Sequence, residues 1–155
     1  MSDQTCLSRV KDEYESRMDD LHQLWDSYCN DPDESVDDLG TLYEYGLSFD
    51  YVAPQTFKDQ NQGYFRYQLS WGGPSDEFRI YAEKINDYSF SVYKIEYWFL
   101  DWFDGAHVLL QGKEYKFIKE LFESFFVESG SAGIVHSQAL EDYEPDYDNL
   151  EDEQE

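Results

Sequence analysis

At Leu47 the hydrophobic period of this chain changes, and that change limits the fold more than any other feature. Before it, Leu7, Val10, Tyr14, Met18, Leu21, Trp25 and Tyr28 recur at steps of three and four. That is the apolar stripe of one long helix over about residues 5–29. After it, the period is two. Leu47, Phe49 and Tyr51 alternate with Ser48 and Asp50. Phe65, Tyr67, Leu69 and Trp71 alternate with Arg66, Gln68 and Ser70, and Phe78, Ile80 and Ala82 with Glu77, Arg79 and Glu83. Residues at i and i+2 share one face of a strand, so each segment offers one apolar face to a core. WGGPSDE links two of these strands, and Asn86-Asp87 marks a hairpin turn.

In the next strand Phe90 and Val92 share one parity, while Ile95, Tyr97 and Phe99 have the other. A shift of one residue predicts a β-bulge near Tyr93. The run KIEYWFLDWFDGAH reads as a core strand, with Trp98 in the core and its carboxylates at the strand end. Asp104-Gly105 is a turn signal, followed by a short strand over residues 107–110. Tyr115, Ile118, Leu121, Phe122, Phe125 and Phe126 form a second helical face, which Gly130 ends, and a short helix follows over residues 134–140. Pro32 breaks the first helix, and Asp33 or Ser35 caps a short one that reaches Tyr45 before Gly46. The expected fold is α+β: an antiparallel four- to five-stranded sheet packed with helices. Residues 1–140 form a single domain, and 141–155 an acidic, disordered tail.

The chain carries 35 acids against 11 Lys and Arg, a net charge of −24 in 155 residues. Charge of that size opposes compaction. Aromatic residues make up 19% of the chain, however, and each ring buries a large area, so a folded, acid-coated domain is expected. The charge is uneven. Residues 1–46 hold 13 acids and 3 bases, and residues 111–155 hold the same numbers. The central 47–110 segment holds 9 and 5. The helices and tail carry the charge, and the sheet supplies the core. No apolar run is long enough to cross a membrane and the N-terminus has no signal-peptide core, so a cytoplasmic protein of a bacterial host is expected. Cys6 and Cys29 fall on one helix, too far apart for a disulfide within it. Such a surface attracts neither nucleic acid nor an anionic membrane directly; its natural partner is basic.

Local motifs for chemistry are weak. Asp101, Asp104 and His107 are the nearest approach to an acid/base or metal cluster, but strand alternation points them in different directions. His22, His107 and His136 are scattered. Nucleophile-elbow, Walker and dinucleotide patterns are missing. DPDESVDDLGTL has calcium-loop spacing at Asp31, Asp33, Ser35 and Asp37, but Val36 stands where the glycine is needed and Leu42 where the bidentate Glu is needed. No cofactor, metal or catalytic residue is expected, and the protein is read as not an enzyme.

The strongest signal is carboxylates in rows. Asp12, Glu15, Asp19 and Asp26 follow steps of three, four and seven along the first helix. Neighbours three or four apart on a helix lie about 5–6 Å from each other, comparable to the charge spacing of a DNA strand. With Asp20, Asp33, Glu34, Asp37 and Asp38 they make up the expected partner-binding set. Tyr14, Tyr43, Tyr143 and Tyr147 are candidate aromatic anchors beside them.

The stretch LSWGGPSDEFRIY followed by KIEYWFLDWFDGA resembles small acidic proteins encoded on plasmids and phages, over about a third of the chain. Its overall character resembles, by class alone, the DNA-mimic proteins of mobile elements that inhibit CRISPR effectors or restriction enzymes. Such mimics share charge and little sequence, so no functional residue carries over. The resemblance implies inhibition of a basic nucleic-acid-binding protein, a CRISPR effector complex first and a restriction enzyme second. Other readings are an acidic immunity protein or antitoxin, and a small enzyme or ligand-binding protein that uses the aromatic sheet as a pocket with Asp101 or Glu96 converging on it. Oligomeric state is not set by the sequence.

Overall fold

The computed structural model describes residues 6–72, 74–86, 88–101 and 104–142. Its elements run α1 (Cys6–Asn30), a 3-10 turn (Asp37–Leu39), α2 (Leu42–Tyr45), β1 (Ser48–Val52), β2 (Tyr64–Ser70), β3 (Ser75–Asn86), β4 (Ser89–Asp101) and β5 (Asp104–Leu109). Then come α3 (Gly112–Leu121), a π-helical turn (Phe122–Val127) and α4 (Ser131–Asp142). The five strands form one antiparallel sheet in sequence order, an α+β architecture.

The helices pack on one face of that sheet. Phe65, Phe78, Ile80, Ile95 and Tyr97 from the strands join Leu21, Leu24, Leu121 and Phe122 from the helices in one core, each less than 2% exposed. Burial of this apolar area is the main force that closes the fold. On the opposite face Val52, Tyr64 and Tyr81 form a second, smaller cluster. The predicted bulge is present: Tyr81 pairs with Lys94 and Ala82 with Val92, which leaves Tyr93 as the extra residue. It keeps Phe90 and Val92 on the same buried face as Ile95 and Tyr97.

Several expectations are corrected. Leu7 is 77% exposed, and Cys6 and Leu24 hold the buried stripe of α1 in its place. Neither Asp33 nor Ser35 caps the short helix. Thr41 does: its Oγ1 accepts from Glu44 N at 3.3 Å, while Glu44 Oε1 accepts from Thr41 N at 3.0 Å. Leu47 and Trp71 are exposed, because β1 starts after Leu47 and β2 ends at Ser70. Trp98 lies on the outer face. Tyr97 and Phe99 point into the core, so pleating turns Trp98 away, opposite Glu77 and His107. Asp104-Gly105 is strand rather than turn, since Asp104 pairs with Asp101. Tyr14 is buried at 6% exposure, which removes it as an anchor. The last helix is longer than expected and reaches Asp142. The rest of the expected tail, with Tyr143 and Tyr147, lies outside the described residues.

Gly46 is one position where glycine is required. A Cβ there would sit 2.2 Å from the Tyr67 ring, so α2 and β1 can join only across a residue without a side chain.

Candidate functional site: the acidic face of the first helix

Along α1 each residue turns about 100°, which places Asp12, Glu15, Asp19 and Asp26 within an arc of about 60° and along about 21 Å of axis. All four are exposed. The buried residues Val10, Tyr14 and Leu21 lie on the opposite side of the same helix, so core packing sets where the row points.

The helix's own arginines do not neutralise that row, because both reach inward. Arg9 Nη1 pairs with Asp101 at 3.4 Å, and the Arg9 guanidinium lies 4.7 Å from the Phe99 ring centre. Arg17 grips Asp76 with two hydrogen bonds, Nε to Oδ2 at 2.7 Å and Nη2 to Oδ1 at 3.1 Å. None of the ion pairs made by Arg9, Arg17, Arg66, Arg79 and His107 uses an acid of the row.

Asp20 differs from its neighbours. It is half-buried and accepts from Tyr45 Oη at 2.7 Å. Tyr45 Oη in turn accepts from Arg17 Nη1 at 2.9 Å. Asp20 therefore belongs to a structural network rather than to the open row. Asp33, Glu34, Asp37 and Asp38 are all exposed in the segment after α1. That segment is tied to the last turn of the helix, where Ser27 Oγ donates to Glu34 O at 3.4 Å and Asp31 N to Ser27 O at 2.8 Å. The loop acids thus extend the acidic surface beyond Asp26. Tyr43, 62% exposed, packs against Tyr28 and Phe125 with ring centres 5.8 and 5.1 Å apart.

Sequence pattern does not point to the most buried acid among the described residues. Asp76, 2% exposed, takes both bonds from Arg17, one from Tyr97 Oη at 2.6 Å and one from Ser70 Oγ. Burial opposes the charge on Arg17, but the hydrogen bonds it donates to Asp76 and Tyr45 outweigh that and raise its pKa. Burial first, then the Asp76 bond, holds the Tyr97 hydroxyl protonated well above the ordinary phenol range. In WGGPSDE this Asp reads as ordinary turn chemistry; only the pairing of β2 with β3 and the reach of Arg17 reveal its role.

The carboxylates of KIEYWFLDWFDGAH have separate tasks. Asp104 Oδ2 accepts from Cys6 N at 2.7 Å, which caps the start of α1 from a distant part of the chain. That backbone bond comes first among the causes that hold the Asp104 carboxyl below its usual range. Asp101 pairs with Arg9. Glu96 Oε1 accepts from Tyr81 Oη at 3.1 Å and from Trp98 Nε1 at 3.0 Å. His107 stacks on Trp98 with ring centres 4.4 Å apart. Neither Asp101 nor Glu96 lines the cavity of about 670 Å³ beside α4 or the one of about 540 Å³ on the outer sheet face. Among the described residues no three His, Cys, Asp or Glu are grouped to hold a metal ion. No described helix is long and apolar enough to cross a membrane. No family model, curated protein or solved structure matches this chain.

Proposed function

We propose that this protein is a DNA mimic of a mobile element, which occupies the basic nucleic-acid groove of a bacterial defence protein. A CRISPR effector complex is the first target and a restriction enzyme the second. One observation carries the reading: α1 turns both its arginines into the fold, where they pair with Asp101 and Asp76, and leaves Asp12, Glu15, Asp19 and Asp26 exposed in a row along one side of the helix. Charge adapted only for solubility has no need of such segregation. The helix row places 4 charges on about 21 Å, where one DNA strand places about 6, so the loop acids Asp33, Glu34, Asp37 and Asp38 complete the footprint. Complementary charge gives fast, steered association and needs no base reading. The exposed Tyr43 ring supplies an anchor beside the loop acids. No chemistry is assigned, and no cofactor enters.

The test is competition. A purified CRISPR effector complex is mixed with labelled target DNA and increasing protein, and bound DNA is followed by gel shift. Displacement of DNA with direct binding to the effector supports the reading. A panel of effectors and restriction enzymes that all keep their DNA overturns it.

A further inference from the structure

The outer face of the sheet carries two arginines whose carboxylate partners use only part of their hydrogen-bonding capacity. Lys58, Arg66 and Arg79 line its cavity of about 540 Å³, a volume typical of a small-ligand site. Both arginines are locked. Arg66 donates from Nε and Nη2 to Asp50 at 3.0 and 2.7 Å. Arg79 donates from Nε to Glu77 at 2.8 Å, and its guanidinium lies 4.1 Å from the Trp98 ring centre and 5.0 Å from that of Tyr64. Those contacts leave Arg66 Nη1 and both Arg79 Nη groups without an acceptor among the described residues. Lys58 pairs with no described carboxylate either. The deep carboxylate, Glu77, is 3% exposed and already engaged, and Asp59 stands exposed at the rim. The wall therefore offers donors.

Two aromatic rings flank these donors. Trp71 is 76% exposed and Phe57 52% exposed, and both line the cavity. The loop that carries Phe57 and Lys58 is braced. Gln60 Nε2 donates to Ala53 O at 3.0 Å and to Gln62 O at 2.8 Å, while its Oε1 accepts from Phe57 N at 3.0 Å. Gln55 and Asp59 in this loop both sit at φ +64°, a conformation that non-glycine residues hold only when their surroundings enforce it. The acid row lies on the far side of α1, on the order of 15 Å from this face, beyond the screening length of about 8 Å at physiological salt. An anion at the cavity is thus governed by local groups, the unused donors of Lys58, Arg66 and Arg79 set against the engaged carboxylates of Asp50 and Glu77 and the exposed Asp59.

We propose that this cavity binds a small planar anion. Its aromatic ring stacks on Trp71 and Phe57, and its phosphate or carboxylate takes the unused donors of Arg66, Arg79 and Lys58. This is independent of the mimicry reading, which uses the opposite side of the molecule.

Calorimetric titration of the full chain tests it with three probes: guanosine monophosphate, 4-hydroxybenzoate and inorganic phosphate. One aromatic probe should bind a single site with Kd of about 10 µM to 1 mM, and phosphate alone at least about tenfold more weakly. A tighter nucleotide points to a phosphate source, and a tighter benzoate to a carboxylate source; both support the site. Trp71→Ala and Lys58→Ala change exposed residues, should keep the wild-type melting temperature, and should each weaken binding at least about tenfold. The site is overturned if neither aromatic probe saturates below about 10 mM, if both variants bind as wild type, or if phosphate alone binds as well as the aromatic probes. Charge reversal along α1 should leave this binding intact, which separates its fate from that of the proposed inhibition.

Discussion

Asp76 shows how much a single side chain decides here. Its carboxylate is removed from water and charged, a state tolerated because Arg17, Tyr97 and Ser70 all bond to it. Asp76→Ala would leave Arg17 without its partner, and urea unfolding should show a loss of about 3–5 kcal/mol. Tyr97→Phe removes one bond and keeps the ring, so about 1 kcal/mol is expected. Phe122, fully buried against Phe49 and Phe65, should cost about 3–5 kcal/mol when cut to Ala. Trp98→Ala should cost less, because that ring lies on the outer face between Arg79 and His107. Phe122 was legible from helical spacing. Trp98 reads as core in the sequence because an unbroken aromatic run hides the alternation that Tyr97 and Phe99 obey. Asp76 was illegible because its meaning depends on Arg17, which is 59 residues away.

At the scale of elements, local pattern carried most of the information. Period-two runs gave the strands, and the parity change gave the bulge at Tyr93. Boundaries failed where tertiary contacts set them. Asp104 caps α1 from β5, and no local signal announces a cap so distant in sequence. The π-helical turn after α3, closed by Glu128 N to Glu123 O at 3.0 Å, was equally silent. His136 links element packing to pH. It sits on α4 against Tyr51 and Phe90, with ring centres 4.5 and 5.3 Å away. Burial, then the nearby Lys84 charge, lowers its pKa below the ordinary 6.5. The folded state therefore prefers the neutral ring. Its contribution is complete above about pH 6.5 and is lost as pH falls from there through the folded pKa. Protection of the α4 amides, taken relative to the intrinsic exchange rate at each pH, should fall as pH drops below about 6.5, and His136→Phe should remove that loss while α4 stays docked. Unchanged protection below that pH would show that α4 docking does not depend on the neutral imidazole.

At the scale of the molecule, the exposed carboxylates of α1 stand in a row on one side, while the outer sheet face holds arginines locked to carboxylates, Arg66 to Asp50 and Arg79 to Glu77. The acid row could be read from spacing alone, since helix geometry needs no tertiary knowledge. That its arginines turn away from it could not, because Arg9 and Arg17 find their partners in β4 and β3. If the row stands in for phosphates, its energy is spread over many exposed pairs, and single reversals should each change binding by less than about 1 kcal/mol. Reversing Asp12, Glu15, Asp19 and Asp26 together to Lys should abolish competition with DNA, while circular dichroism keeps the wild-type helix signal. Asp20→Asn should act differently, through stability, because that carboxylate holds Tyr45. Binding of the intact protein should also fall steeply as salt rises, since exposed charges are screened over about 10 Å at 0.1 M. A quadruple variant that still displaces DNA would remove the row from the mechanism. Inhibition that vanishes with Asp101→Asn in a folded protein would move the functional site to the end of β4.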